Sequence, residues 1–173
     1  MIDYTTPQIS ALDQLVSWQM RRGISPQDTL FNPNTLSFRA LHSELFGESE
    51  FAFAAWIYRT IALRWGVTQF APAYLVPELM EVVFTPERLT VWSILAWTIE
   101  VIGYIHPFLD GNRRTTWIYT NRWLQSLGYA PIDWDRLRPD WERSIQEDLS
   151  LPERLIELLE LLASWEDLIK TVY

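Results

Sequence analysis

The sequence predicts a mostly α-helical bundle with one short β-hairpin before its central helices. Apolar residues recur at intervals of three and four in several segments, which is the spacing of one helical face. Prolines and glycines separate these segments, and two short β-prone runs flank Gly66. Hydrophobic residues make up 49% of the 173 residues, enough for one domain with a sizeable core. We therefore expect a single domain over residues 1–173.

Helical spacing and stop signals place the first two helices. Residues 10–22 carry leucine and valine on one face and stop at Gly23, and a second face runs from Leu36 to Gly47. The predicted parts of the domain are an N-terminal helical extension at residues 1–35, a core at residues 36–135 and C-terminal helices at residues 136–173.

Residues 58–70 admit two interpretations. The apolar stretch over residues 51–65 is long enough for one buried helix, but Gly66 stands between two short β-prone runs. We favour a hairpin, because a glycine between such runs is typical of a tight turn. Arg59 and Arg64 are then expected to be solvated charges of that hairpin.

The central helices follow from prolines and apolar spacing. A short helix is predicted at residues 78–84 and a long one at residues 86–105, since proline fits the first turn of a helix. The long helix ends before His106 and Pro107, because proline disfavours the helical conformation of the residue before it. Its predicted buried face consists of Leu89, Trp92, Leu95, Ala96, Ile99 and Ile102.

Two further helices complete the predicted bundle. One runs over residues 112–127 and ends at Gly128, a residue typical of a left-handed helix cap. The other covers residues 153–170 and carries one apolar stripe, which fits either a core helix or an oligomer face. We favour a core helix for this last segment.

Composition excludes several classes of function. With 22 acidic and 14 basic residues the net charge is −8, which repels a nucleic-acid backbone. The absence of cysteine excludes disulfides and thiolate metal sites. No charged and then apolar leader opens the chain, and no apolar run approaches about 18 residues. We therefore expect a cytoplasmic protein without nucleic-acid or membrane partners.

The segment from His106 to Arg114 brings together the groups needed to handle phosphate. It reads His-Pro-Phe-Leu-Asp-Gly-Asn-Arg-Arg and leads into a predicted helix, whose first N–H groups and dipole form an anion site. Arg114 can hold phosphate oxygens with two prongs, and Asp110 can hold a Mg²⁺ that bridges them. His106, with an ordinary pKa of about 6.5, is suited to accept a proton from a hydroxyl.

This segment resembles the signature of the Fic/Doc family, His-x-Phe-x-Asp/Glu-Gly-Asn-x-Arg. The match covers His106, Phe108, Asp110, Gly111, Asn112 and Arg114. A looser similarity extends over residues 36–135. By this resemblance the chain has a Fic-type helical bundle, and its hairpin is the flap of that fold.

The resemblance implies transfer of a phosphate-containing group, most often AMP, from ATP to a hydroxyl of a target protein. His106 is then the catalytic base, Asp110 the Mg²⁺ ligand, and Phe108 a core residue that fixes the loop. Nucleotide and phosphate binding is assigned to Gly111, Asn112, Arg113 and Arg114. The flap docks the target chain as an added strand through Thr60, Ile61, Ala62, Gln69 and Phe70.

Two positions differ from typical AMP-transferring members. Arg113 stands where those members have glycine, and Trp117 stands where they have a second arginine that engages the outer phosphate. The Doc branch, which transfers a terminal phosphoryl group, resembles the chain at both positions. We favour AMP transfer; the alternatives are a Doc-like kinase, a degenerate fold that binds nucleotide or partner without turnover, and metal-dependent phosphoester hydrolysis.

Arg113 and Trp117 also lie four apart on one helical face, which favours a cation–π pair worth about 0.5 to 1 kcal/mol.

Regulation must come from outside the family's inhibitory helix, Ser/Thr-x-x-x-Glu-Gly/Asn. No Glu-Gly or Glu-Asn pair occurs in the sequence. Control, where the activity needs it, is then expected to come from a regulatory partner, such as the antitoxin of a toxin–antitoxin pair, or from altered chemistry; a homo-oligomer is left open.

The second histidine, His42, has a different interpretation. It stands beside Leu41 and near Leu45 on a predicted helix, with no acidic or phosphate-binding partner nearby. We interpret it as a structural residue.

Overall fold

The computed structural model describes residues 31–47, 52, 55–66, 68–84 and 90–134. The helices predicted at residues 10–22 and 153–170 lie outside this part of the chain. The single-domain organisation and the choice of a core helix for residues 153–170 therefore stay predictions. None of the helices described has the length and apolar character needed to cross a membrane.

The described part is mostly helical and contains one two-stranded antiparallel hairpin, which confirms the predicted fold class. In chain order the elements are helix α1 (Thr35–Phe46), strand β1 (Arg64–Trp65), strand β2 (Thr68–Gln69), a 3-10 turn (Ala73–Leu75), helix α2 (Val76–Val83), helix α3 (Val91–Glu100), a π-helical turn (Val101–Ile105) and helix α4 (Asn112–Ser126). Helices α1 and α3 and the π-helical turn all pack against α4. Helix α4 is therefore central, and it begins at the predicted phosphate-handling segment.

Two helices begin with the same capping arrangement. The Asn34 side chain accepts a hydrogen bond from the main-chain N–H of Ser37 at 2.9 Å, and the Ser37 hydroxyl accepts one from the main-chain N–H of Asn34 at 3.3 Å. Thr90 and Ser93 repeat this exchange at α3. Such reciprocal bonds satisfy N–H groups that a helix start leaves unpaired. Helix α2, predicted over residues 78–84, starts slightly earlier, with a proline in its first turn.

The boundaries of α3 correct the predicted long helix. Because the capping residue Thr90 is extended, the helix begins at Val91 rather than at Pro86. The α-helical hydrogen bonds end at Glu100, where the wider π-helical turn takes over. The predicted end before His106 is confirmed, because helical structure continues to Ile105 as the π-helical turn, whereas the predicted start at Pro86 is wrong, because Thr90 is extended.

The hairpin is confirmed, and it replaces the alternative of one buried helix over residues 51–65. Residues 57–63 are not helical, and β1 pairs with β2 in the register that places Arg64 opposite Gln69. Gly66 has a φ of 57°, a left-handed conformation that lets the chain reverse within a short loop. The Arg64 side chain is exposed, as predicted.

Aromatic side chains fill the core where α1, α3 and α4 meet. Phe38 of α1 packs edge-on against Trp97 of α3 at 5.5 Å and against Tyr119 of α4 at 5.2 Å. Phe38 also stacks on Phe108 at 5.5 Å, so the loop before α4 is anchored directly in the core. Trp92, predicted on the buried face of α3, is 41% exposed, because the core-facing stripe runs through Trp97 instead.

Candidate active site

The loop of residues 106–111 joins the π-helical turn to helix α4 and borders a cavity of about 170 Å³. The cavity is lined by Trp65, His106, Asp110, Gly111, Asn112, Arg113 and Arg114. The structure thus brings together the residues predicted as base, metal ligand and phosphate binders, and adds one tryptophan from the hairpin.

The π-helical turn sets the tautomer of His106. The main-chain N–H of His106 donates to the Val101 carbonyl at 2.8 Å, the longer-range bond of a π-helix. The Ile102 carbonyl thereby loses its α-helical donor, and the next residue, Pro107, has no N–H to offer. The His106 ring takes that place, with Nδ1 lying 2.9 Å from the Ile102 oxygen. Since a carbonyl oxygen only accepts, Nδ1 carries the proton and Nε2 carries the lone pair.

Burial keeps the His106 ring neutral at pH 7. It lowers the pKa of His106 from 6.5 to about 4; the hydrogen bond to Ile102 opposes this shift, and the charges of Arg59 and Arg113 add to it. The ring lies parallel to that of Phe70, with centroids 3.9 Å apart and planes inclined by 14°. A neutral imidazole held in one orientation is the form that can accept a proton.

The backbone of His106 is left-handed, with φ of 48° and ψ of 65°, a region that residues other than glycine rarely adopt. Arg59 holds this peptide, since its Nε donates to the His106 carbonyl at 2.7 Å. Its remaining guanidinium nitrogens donate to the carbonyls of Ile61, Ala71 and Ile105. Arg59 is 2% exposed, so the prediction of a solvated charge is wrong. Main-chain carbonyls take the place of water around the buried guanidinium.

The Asn112 side chain is engaged by the loop itself. Its Oδ1 accepts from the main-chain N–H of Phe108 at 2.7 Å, and its Nδ2 donates to the Phe108 carbonyl at 2.8 Å. The Phe108 ring is fully buried, as predicted. Asn112 can therefore bind an anion only through its main-chain N–H at the start of α4.

Packing requires glycine at position 111. Gly111 has a φ of 76°, and a Cβ there would lie 2.3 Å from ring atoms of Phe46. Any side chain would strain the backbone and collide with α1. The glycine thus lets the loop sit against the core at the point where α4 begins.

Asp110 is the candidate metal ligand. Its Oδ1 accepts from the main-chain N–H of Gly111. Burial raises the pKa of Asp110, while that hydrogen bond and the charges of Arg114 and Arg113 act in the opposite direction. The described residues contain no group of three His, Cys, Asp or Glu side chains suited to a metal. A single carboxylate together with the oxygens of a bound phosphate is an ordinary donor set for Mg²⁺, so the site fits that ion.

The predicted cation–π pair is confirmed. The Arg113 guanidinium lies 5.1 Å from the ring centroid of Trp117. Trp117 is 1% exposed and stacks on Trp134, with centroids 5.1 Å apart and planes inclined by 2°. Trp117 does not line the cavity. The position where typical AMP-transferring members carry a second arginine therefore belongs to the aromatic core.

The predicted docking residues occupy different surroundings. Exposed positions are found at Thr60, Ile61 and Ala62, just before β1, and at Gln69 on β2. Phe70 is only 5% exposed, and its ring packs on that of the candidate base. The Phe70 side chain is therefore part of the site rather than of an open docking surface. The docking role of the other residues stays a prediction.

His42 is structural, as predicted, but the expectation that it lacks a partner near the site is wrong. Its Nε2 donates to the main-chain carbonyl of Asp110 at 3.0 Å, and its Nδ1 accepts from the main-chain N–H of Trp56 at 3.3 Å. The ring stacks on Phe108 at 3.7 Å, and burial lowers the pKa of His42 to about 4. No sequence signal reveals this contact, because 68 residues separate His42 from Asp110.

Comparison with known proteins bears on the whole site. No curated protein matches the chain. The model of the Fic/DOC family matches residues 34–124, which is more than half of the 173 residues and includes the hairpin, the π-helical turn, the loop and most of α4. Members of this family are commonly transferases. The chain belongs to the Fic/DOC family.

Proposed function

We propose that this protein transfers a phosphate-containing group from ATP to a hydroxyl side chain of a target protein. The supporting observation is the arrangement at His106. Its Nδ1 is committed to Ile102, which leaves Nε2 as the proton acceptor of a ring that borders the cavity at the start of α4. A proton acceptor beside an anion site is the arrangement that attack by a hydroxyl on phosphorus requires.

His106 acts as the base in this proposal. The target hydroxyl oxygen bonds to a phosphorus of ATP and gives its proton to Nε2 of His106. The bond from that phosphorus to its bridging oxygen breaks, and the leaving phosphate group departs with the electron pair. The pKa of His106 is about 4 without ligand, and the negative charge of bound ATP raises it, which strengthens the base when substrate is present.

The first turn of α4 and two arginines bind the phosphates. Main-chain N–H groups at the helix start and the Arg114 side chain supply donors, and Arg113 adds positive charge from its place over the Trp117 ring at the edge of the cavity. Asp110 would hold a Mg²⁺, which would supply further neutralisation of the phosphate charge. The cavity of about 170 Å³ is smaller than the roughly 300 to 1,000 Å³ of sites that enclose a whole ligand. We therefore assign the phosphate groups to the cavity and the nucleoside to the surface beside it.

The first candidate for the transferred group is AMP, as the family resemblance implies for most members. The second candidate is the γ-phosphoryl group, and the burial of Trp117 favours it. A second arginine at this position would engage the outer phosphate, but Trp117 packs in the core and Arg113 lies over its ring. The cations that line the cavity are Arg113 and Arg114 alone among the described residues.

The partners in this proposal are the target protein and a separate regulatory protein. The exposed positions before β1 and on β2 receive a target segment that adds as a strand, which selects for chain conformation more than for sequence. A separate regulatory protein, such as an antitoxin, restrains activity because the sequence carries no inhibitory Glu-Gly or Glu-Asn pair. Copurification of a small partner with the tagged chain tests this second point.

ATP labelled at either the α or the γ phosphorus distinguishes the candidates. The purified chain is incubated with Mg²⁺, labelled ATP and a nucleotide-free protein lysate, and His106→Asn serves as the control. Label that reaches protein from the α position means AMP transfer, and label from the γ position means phosphorylation.

Two outcomes contradict a transferase. Release of labelled phosphate without protein labelling means hydrolysis. Binding of ATP without any release or transfer that depends on His106 means a degenerate nucleotide-binding fold.

A further inference from the structure

We propose that Arg59 is a positioning residue that holds His106 in its reactive orientation and links it mechanically to the flap. The effect on rate rests on the proposed function, whereas the effect on the His106 ring does not. The inference starts from the burial of Arg59, which is 2% exposed although arginine is rarely buried to this degree. A fully buried guanidinium implies that its hydrogen bonds organise the surrounding chain.

The contacts of Arg59 join two regions of the molecule. Its Nε and Nη2 donate to the carbonyls of His106 at 2.7 Å and Ile105 at 3.0 Å, at the end of the π-helical turn. Its Nη1 donates to the carbonyl of Ile61 at 2.8 Å, and Nη2 also donates to that of Ala71. Ile61 and Ala71 stand just before and just after the hairpin. One side chain therefore ties both ends of the flap to the backbone of the candidate base.

The backbone of His106 needs such support. A left-handed conformation at a residue other than glycine costs on the order of 1 kcal/mol or more and persists where surrounding contacts impose it. The same device occurs once more in the described chain, at Trp56, whose φ is 71° and whose carbonyl accepts from Nε of Arg39 at 2.7 Å. Among the described residues, both left-handed positions other than glycine are thus held by the Nε of an arginine.

Further bonds run between the flap and the loop beside Arg59. The main-chain N–H of Arg59 donates to the Pro107 carbonyl at 2.8 Å, and the main-chain N–H of Ala71 donates to the Tyr104 carbonyl at 2.9 Å. Phe70 adds its ring stack on His106. A displacement of the flap is therefore transmitted to the peptide that orients the imidazole, and docking of a target on the flap and the geometry of the base become linked.

Arginine suits this position better than lysine. Its planar fork presents donors in fixed directions and reaches four carbonyls at once, while an ammonium offers three donors from one point. Because Nδ1 of His106 can bond to Ile102 only while the His106 peptide keeps its orientation, loss of the fork releases the ring. The ring then samples both tautomers and other rotamers.

Nuclear magnetic resonance of the imidazole nitrogens provides the first test, and it is simplified because the chain contains two histidines. In the wild-type chain we expect a single Nδ1–H tautomer for His106. A scalar coupling across the hydrogen bond from Arg59 Nε to the His106 carbonyl carbon is expected as well, and it requires no substitution. Absence of that coupling, or an Nε2–H tautomer, would overturn the proposal.

Substitutions provide the second test. Arg59→Gln is expected to give mixed tautomers at His106 and to lower kcat about 10- to 100-fold with KM for ATP within about threefold, since base positioning rather than nucleotide binding is lost. Arg59→Lys should recover only part of either property. Arg39→Gln is the matched control, because it releases Trp56 and should leave the His106 tautomer unchanged.

The outcomes separate this inference from the proposed function. An Arg59→Gln chain that stays folded with an unaltered His106 tautomer overturns the positioning role, and so does full recovery by Arg59→Lys. The positioning role is supported if the wild-type chain shows the coupling and the single tautomer and the Arg59→Gln chain shows neither. This conclusion holds even if the wild-type chain transfers nothing from ATP. In that last case the proposed function alone fails.

Discussion

The two histidines of the chain occupy similar surroundings but use their ring nitrogens differently. Burial lowers the pKa of both His42 and His106 to about 4, and each ring stacks on a phenylalanine. His42 donates from Nε2 and accepts at Nδ1, so both of its nitrogens are used within the protein. His106 donates from Nδ1 and borders the cavity. Burial and pKa therefore do not distinguish a structural histidine from a candidate base, whereas an uncommitted lone pair on a ring that borders the cavity does.

The largest expected effect comes from removing the lone pair at His106. Asparagine tolerates the left-handed conformation, and its amide can still donate to the Ile102 carbonyl, so His106→Asn should remain folded. Transfer from ATP should fall about 10²- to 10⁴-fold, the usual contribution of a general base. A rate assay with labelled ATP, combined with thermal unfolding, measures both quantities. Retention of more than a tenth of the activity would show that the base lies elsewhere.

The matching substitution at the other histidine should change stability instead. His42→Ala leaves the Asp110 carbonyl and the Trp56 N–H without their partner and opens a space beside Phe108. We expect the free energy of unfolding to fall by roughly 3 kcal/mol, measured by urea denaturation. His42→Gln keeps a donor near the Nε2 position and should lose less. A catalytic loss in His42→Gln as large as that of His106→Asn would erase the distinction between the two histidines.

The two histidines also show what the sequence could predict. The role of His106 as a candidate base followed from the spacing of the motif, because the chemistry sits in consecutive residues that one loop brings together. The helix start at Asn112 and the hairpin turn at Gly66 followed from local rules as well, and the structure has both. Local signals suffice where the residues that interact are close in the chain.

Contacts between distant residues could not be predicted in this way. The bond from His42 to Asp110 spans 68 residues, and that from Arg59 to His106 spans 47. The prediction of a solvated Arg59 rests on the propensity of arginine for the surface, but carbonyls from three segments solvate it internally. The π-helical turn was missed for a related reason, since it depends on Pro107 removing one donor and on the ring of His106 replacing it. Only the folded chain brings these groups together.

Acid should destabilise the protein through both histidines. Each has a folded pKa of about 4 against about 6.5 in the unfolded chain, so the unfolded state binds more protons between these values. Stability is therefore present above pH 6.5 and falls as the pH drops toward 4, by about 2 kcal/mol per histidine at pH 5. Urea denaturation at pH 7 and pH 5 measures the loss.

A comparison of two chains isolates the contribution of His42 to the loss of stability in acid. The raised pKa of Asp110 acts in the opposite direction in acid, so wild-type and His42→Gln chains are compared under the same conditions. The substituted chain should lose about half as much stability between pH 7 and pH 5. An identical loss in both chains would mean that His42 is not buried as a neutral ring.

The smallest expected effect is a change in pKa that distinguishes the surroundings of His106 from those of His42. The charge of Arg113 helps to lower the pKa of His106 and is not among the causes that act on His42. Arg113→Gln should therefore raise the pKa of His106 and leave that of His42 unchanged, with about 0.5 to 1 kcal/mol of stability lost from the pair with Trp117. A titration followed by nuclear magnetic resonance reads both rings in one sample, so His42 is an internal control. An equal shift of both rings would mean that Arg113 acts through the net charge of the molecule, whereas a shift confined to His106 places the arginine within the field of the candidate base.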